Sequence, residues 1–236
     1  MKRSRMRTNA GRRVATKGLF LVLPLMLGLT LGSCGETGGD AAPSEAATPT
    51  ALPAGYALRL DRQNRDRANF VATVDDDGTL SVQTGPAGIL YRPDDVIEAD
   101  GYTLRGRFTE MNAPMEHREG FGLFIGGQGL GDADQRYLYF LVRGDGRYLI
   151  KQRRGDATRD LSEGWQPSDA VRAPTTGDSD VSNELSIVVE GAEIRFSCNG
   201  EEVASLPVGD VSSLGVVGVR VNHNLQVRIE DFDLAR

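Results

Sequence analysis

From Tyr102 to Phe108 the core-type positions fall on every second residue, with Tyr102, Leu104, Gly106 and Phe108 separated by Thr103, Arg105 and Arg107. A strand with one face toward a core needs this period of two, because successive side chains leave the backbone on opposite sides. The same alternation predicts strands around Phe121, Leu123 and Ile125, around Leu138, Phe140 and Val142, and around Leu185, Ile187 and Val189. It recurs at Val217, Val219 and Val221 and at Leu225, Val227 and Ile229, while Phe70–Val74 and Thr79–Val82 flank the turn Asp75-Asp76-Asp77-Gly78. No segment offers a long amphipathic helix, and 29 glycines punctuate the short runs. The pattern predicts an all-β domain, a sandwich or a barrel.

Two hairpins can be set in register. With Gly144-Asp145-Gly146 as a three-residue loop and Gly146 left-handed, Val142 faces Tyr148 and Phe140 faces Ile150, giving one apolar face. Tyr137, Tyr139, Lys151 and Arg153 then project from the other face, with the single tryptophan, Trp165, in a polar loop shortly after. Asn199-Gly200 has the composition of a type I′ turn and is expected to bring Phe196 opposite Val203.

The first 55 residues are of another kind. Met1–Lys17 carries seven basic residues and no acid, Gly18–Thr30 is mostly apolar, and Leu31-Gly32-Ser33-Cys34 follows. An apolar run this short falls below the roughly 20 residues a membrane-spanning helix needs, so it reads as a leader. Leu31–Cys34 resembles the lipobox of bacterial lipoproteins. That resemblance implies cleavage before Cys34, lipidation of Cys34 with fatty acyl chains and, with Gly35 next, sorting to the outer membrane. Several acyl chains on one residue give stable attachment, each buried methylene adding about 0.8 kcal/mol. Gly35–Gly55, rich in Gly, Ala, Pro, Thr and Ser, lacks apolar periodicity and reads as a disordered tether with a reach on the order of 25 Å. The expected organisation is a signal peptide over 1–33, a lipidated cysteine and tether over 34–55, and one β-domain over 56–236.

Loss of the leader leaves 20 basic against 33 acidic residues, a balance of −13. No basic footprint for a nucleic-acid partner is present. Beyond Cys34 the only cysteine is Cys198, which alternates with Ile194 and Phe196 and reads as a small core residue; no intramolecular disulfide is expected.

Gly122-Leu123-Phe124-Ile125, Tyr137–Arg143 with Asp145-Gly146-Arg147-Tyr148, Asn183–Ile187, Asn199-Gly200 and Gly215–Arg220 with Asp231-Phe232 together resemble the concanavalin A-like lectin/glucanase superfamily. Within it the chain is similar to bacterial laminin G-like and 3-keto-disaccharide hydrolase-like domains, over roughly Phe70–Leu234. The resemblance implies a two-sheet antiparallel jelly-roll β-sandwich, with a sugar or protein ligand on the concave sheet or its rim. The Glu-x-Asp-x-x-Glu strand of the superfamily's glycosidases, which lines up a nucleophile and an acid, is absent here.

Other chemistry is sparse. Glu116-His117-Arg118-Glu119 gathers an imidazole and two carboxylates, the parts of an acid–base site, and equally the composition of a solvated loop. His223, in Asn222-His223-Asn224, sits where a turn is expected. No cofactor motif is present. Calcium is the one candidate ion, with Asp75 and Asp77, or Asp132 and Asp134, as hard oxygen donors, but neither pair has the twelve-residue loop that would specify it. Arg143-Gly144-Asp145 and Arg154-Gly155-Asp156 spell an adhesion tripeptide at two expected turns.

The strongest site candidate is therefore a surface formed by Tyr137, Tyr139, Lys151, Arg153 and Trp165. Aromatic faces stack on pyranose rings, and Lys or Arg donate to hydroxyls and carboxylates. The competing reading has the Tyr–Lys pairs covering a solvated sheet and Trp165 plugging its edge. The expected function is a membrane-anchored, non-catalytic module that binds a polysaccharide, an oligosaccharide or an envelope partner. The alternative is a glycoside or 3-keto-disaccharide hydrolase using Glu116, His117 or Glu119.

Overall fold

Gly146 adopts φ 74° and its N–H donates to the Arg143 carbonyl, closing the three-residue loop that the glycine spacing predicts. The structure is a computed structural model that describes residues 51–114, 118–176, 179–209 and 211–236. Cys34, Glu116 and His117 lie outside the described residues.

Along the chain the strands are β1 (Ala57–Leu60), β2 (Phe70–Val74), β3 (Leu80–Thr84), β4 (Gly88–Ile97), β5 (Tyr102–Glu110) and β6 (Gly120–Gln128). Then come β7 (Arg136–Arg143), β8 (Arg147–Arg154), β9 (Ala157–Asp160), β10 (Gln166–Pro167) and β11 (Val181–Glu190). The series ends with β12 (Glu193–Cys198), β13 (Glu201–Pro207), β14 (Gly215–Val221) and β15 (Gln226–Ala235). They form two antiparallel sheets. The first has the order β1-β4-β14-β6-β7-β8-β10 with β9 also on β8, and the second runs β13-β12-β11-β5-β15-β3-β2. The fold is an all-β, two-sheet sandwich.

The main core lies between the sheets, where Phe108, Phe121, Leu123, Phe140, Leu185 and Phe196 are all at most 1% exposed. Each large side chain withdrawn this fully contributes about 1.5–3 kcal/mol. Cys198 belongs to this core, and burial pushes its thiol pKa up to about 12. The β7–β8 register is the one expected, with Val142 opposite Tyr148 and Phe140 opposite Ile150. The second hairpin differs by one residue. Asn199 and Gly200 are both left-handed as a type I′ turn requires, but Phe196 pairs with Ala204 instead of Val203. A bulge between Phe196 and Ser197 absorbs the extra residue.

Bulges also shape the first sheet. The β4–β14 and β14–β6 ladders shift between Val216 and Gly218, and the β6–β7 ladder shifts between Ile125 and Gln128. A bulge bends its strand and sharpens its twist, and these three lie on neighbouring ladders of one sheet. The sheet is curled, and its inner face carries a second apolar cluster of Ile89, Phe124, Leu130, Tyr137, Tyr139 and Leu141. With a core on each side, β6 and β7 are buried along almost their whole length, unlike β11, where deeply buried residues alternate with more exposed ones.

Candidate functional site

The second cluster is built from the side chains that alternation turns away from the main core. Tyr137 and Tyr139 do leave the face opposite Leu138 and Phe140, as expected, but they are only 1% and 4% exposed. Their ring centres are 5.7 Å apart, and Phe124 lies 5.4 Å from Tyr137. Neither ring is available to stack on a sugar. Burial raises the pKa of both phenols, that of Tyr139 to about 12.

Arg153, expected on the same exposed surface, is also buried, together with Arg220 from β14. Both guanidiniums converge on Asp61, the residue after β1. Arg220 holds it in a two-pronged pair, with Nη1 2.8 Å from Oδ1 and Nη2 2.6 Å from Oδ2. Arg153 Nη1 lies 3.2 Å from Oδ1, and its Nη2 donates to the Asp61 carbonyl at 3.3 Å. Arg220 Nη1 also donates to the Tyr137 hydroxyl at 3.1 Å, and its guanidinium sits 4.7 Å above the centre of the Tyr139 ring. A bidentate, charge-assisted pair of this kind is both strong and orienting.

The electrostatics follow from this geometry. Burial acts to raise the pKa of Asp61, but hydrogen bonding to Arg220 and the charges of Arg220 and Arg153 outweigh it, holding the carboxyl below its usual range. Burial likewise acts to strip Arg220 of its charge, yet the oxygens of Tyr137 and Asp61 prevail and hold its pKa above the ordinary guanidinium value.

Above this clasp opens a hollow of about 600 Å³ lined by Arg59, Asp61, Arg62, Gln63, Asn64, Arg153 and Asp156. Arg59 closes part of its rim by donating from Nη1 to the Gly131 carbonyl at 2.9 Å. Asp61, Arg59 and Arg220 have no part in the site expected from the sequence. Arg220 does carry a signal, as a lone charge inside Gly215-Val216-Val217-Gly218-Val219-Arg220-Val221, where a strand covered on both faces must supply a partner.

The remaining candidates are dispersed. Trp165 is half-buried against Gly120, where a Cβ would fall 2.6 Å from the indole, and the Arg143 guanidinium lies 4.4 Å from its ring centre. It packs against the edge of the second cluster. Lys151 pairs with Asp160 at 3.6 Å. Glu119 lies 3.6 Å from Nδ1 of His223. Of the calcium candidates, Asp77 accepts from the Thr79 N–H at 2.9 Å, and among the described residues no three His, Cys, Asp or Glu side chains come together at either aspartate pair. In the first adhesion-like tripeptide, Arg143 Nε and Asp145 Oδ1 bind each other at 2.6 Å.

No protein-family model matches the chain, and no curated protein matches it. Solved structures do. The carbohydrate binding module CBM66 from Bacillus subtilis superposes with a TM-score of 0.55 at 10% identity, over 80% of this chain and all of that one. A Bacillus subtilis protein of unknown function with a galectin-like fold gives 0.53 at 14% identity, over 76% of this chain and 88% of its own. A point mutant of the Emp46p carbohydrate recognition domain also gives 0.53, at 11% identity, over 77% and 88%. The domain therefore shares the two-sheet β-sandwich fold of these galectin- and lectin-type structures.

Proposed function

We propose that this chain is a non-catalytic carbohydrate-binding module, held at the cell envelope by a lipid on Cys34, and that its ligand sits in the polar hollow beside the β7–β8 hairpin rather than on the hairpin's rings. The observation that carries the reading is the hollow itself. Arg59, Arg62, Gln63 and Asn64 offer several donors to one concavity, and the Asp61 clasp fixes its floor. Sugars are recognised by such convergent donors, since each ring hydroxyl must exchange a hydrogen bond to water for one to the protein. A binding module and a carbohydrate recognition domain among proteins of the same fold support the same class of ligand.

The test is a glycan array probed with the detergent-solubilised full chain. Binding is expected, with bound sugars recovered intact, and Asn64→Trp is expected to abolish it by filling the hollow without altering its charge. Binding that survives Asn64→Trp removes the hollow from the site. Released sugar product replaces the binding module with a hydrolase.

A further inference from the structure

The charges of the hollow do not cancel. Asp61 is already matched by Arg220 and Arg153, and Asp156 is fully exposed, 3.9 Å from Arg153. Arg59 forms no ion pair among the described residues; it gives Nη1 to the Gly131 carbonyl, while its Nε is shielded from water and has no hydrogen-bond partner there. Arg62 is exposed on the same wall, and no carboxylate among the described residues pairs with it. Three guanidiniums, those of Arg59, Arg62 and Arg153, thus line the hollow with two carboxylates, one of them also held by Arg220 beneath, in a chain whose formal net charge is −6.

We infer, building on the carbohydrate-binding reading above, that the hollow selects an anionic sugar, a uronate or a sulfated residue, with Arg59 and Arg62 engaging its charged oxygens. The planar guanidinium fork matches a carboxylate or sulfate edge, and hydrogen bonds between charged partners are roughly twice as strong as neutral ones. The acidic character of the rest of the chain does not oppose this. At physiological salt the Debye length is about 8 Å, so an anion seated in the hollow is governed by the arginines that line it. Asn64 remains for the uncharged hydroxyls, with the Oε1 of Gln63, whose Nε2 donates to the Leu60 carbonyl at 2.9 Å.

Calorimetric titration of the full chain in detergent tests this with three short probes: trigalacturonate, its methyl ester, and a sulfated galactotriose. At least one charged probe is expected to bind about 10-fold more tightly than the neutral ester, a ratio that corresponds to one well-made charged contact. Arg62→Gln, a change at an exposed side chain, is expected to remove most of that ratio by weakening the charged probe far more than the ester. Arg59→Gln serves as the second variant, with its melting temperature recorded. The preferred charged probe identifies uronate or sulfate as the group recognised. Equal or tighter binding of the neutral ester overturns the anionic preference and leaves sugar binding standing. A preference for the charged probes that persists in both arginine variants also overturns it. Absence of binding to every probe and to the glycan array overturns both.

Discussion

Arg153 and Asp61 belong to opposite flanks of one sheet, with β4, β14, β6 and β7 between β1 and β8, yet Arg153 Nη1 lies 3.2 Å from Asp61 Oδ1. Only a curled sheet permits this contact, and the bulges at Val216–Gly218 and Ile125–Gln128 account for the bend. The clasp closes the hollow of the curl over Tyr137 and Tyr139, so the aromatic rings serve as a second core and the polar hollow is left outside it.

Removal of one partner from this clasp leaves the other charge buried without compensation. Asp61→Asn is expected to destabilise the domain by about 3–5 kcal/mol, the usual cost of breaking a buried pair. Urea unfolding followed by the fluorescence of Trp165, the only tryptophan, measures it. The double variant Asp61→Leu with Arg220→Met is expected to lose less, because that pair is removed as a whole and the one charge left, Arg153, still donates to the main-chain carbonyls of residues 61 and 155. If the double variant is as unstable as Asp61→Asn, the loss is one of packing and not of unpaired charge.

The clasp also sets a pH dependence. Asp61 has a folded-state pKa below its unfolded value of about 3.9, so its contribution is complete above that value. As pH falls through the lower folded-state pKa, the folded protein takes up the proton and the contribution disappears. The acid limb of the stability curve is therefore expected to be steeper below about pH 4 in the parent chain than in Asp61→Asn. Parallel limbs in a pH series of urea midpoints would show that other carboxylates dominate acid unfolding.

Alternation makes the second sheet legible because it has one buried face. In β11 and β5 the predicted core residues are those the structure withdraws from solvent. The first sheet has a core on each side of its central strands, and there alternation of the core residues marks β6, β7 and β14 but not every strand. Ile89-Leu90-Tyr91 is a continuous apolar run ahead of Pro93, so alternation gives no sign of β4. The same loss of contrast hides the burial of Tyr137 and Tyr139. Alternation separates the two faces of the β7–β8 hairpin, but it does not say that β1 and β4 curl over to cover one of them. Asp61 stands in the charged string Arg59-Leu60-Asp61-Arg62, which has the composition of a solvated turn; its role depends on a contact with Arg220, 159 residues away.

The bulge in β6 depends on glycine at one position. Gly126 has φ +67°, and a Cβ there would collide with the Ser212 carbonyl, a backbone atom that has little room to yield. Gly126→Ala is expected to cost roughly 2–4 kcal/mol, strain and overlap each contributing. Gly131, a few residues on in the loop before β7, has open space where its Cβ would lie, and Gly131→Ala is expected to stay within about 0.5 kcal/mol of the parent. Equal melting temperatures for the two variants would mean that the bulge is not a point of constraint.

Cys198 offers a readout of opening that does not depend on the clasp. Its thiol is wholly buried in the main core, 3.5 Å from Asn183 Oδ1, and burial raises its pKa to about 12. Because the thiolate is the reactive form, the folded protein is expected to resist alkylation at pH 8, and unfolding is expected to restore ordinary reactivity. Mass spectrometry after a short iodoacetamide pulse through a urea series should give a labelling midpoint that coincides with the fluorescence midpoint of Trp165. Labelling of Cys198 ahead of the fluorescence change would mean that the sheet pair β11–β12 opens locally, before the curled sheet that carries the hollow.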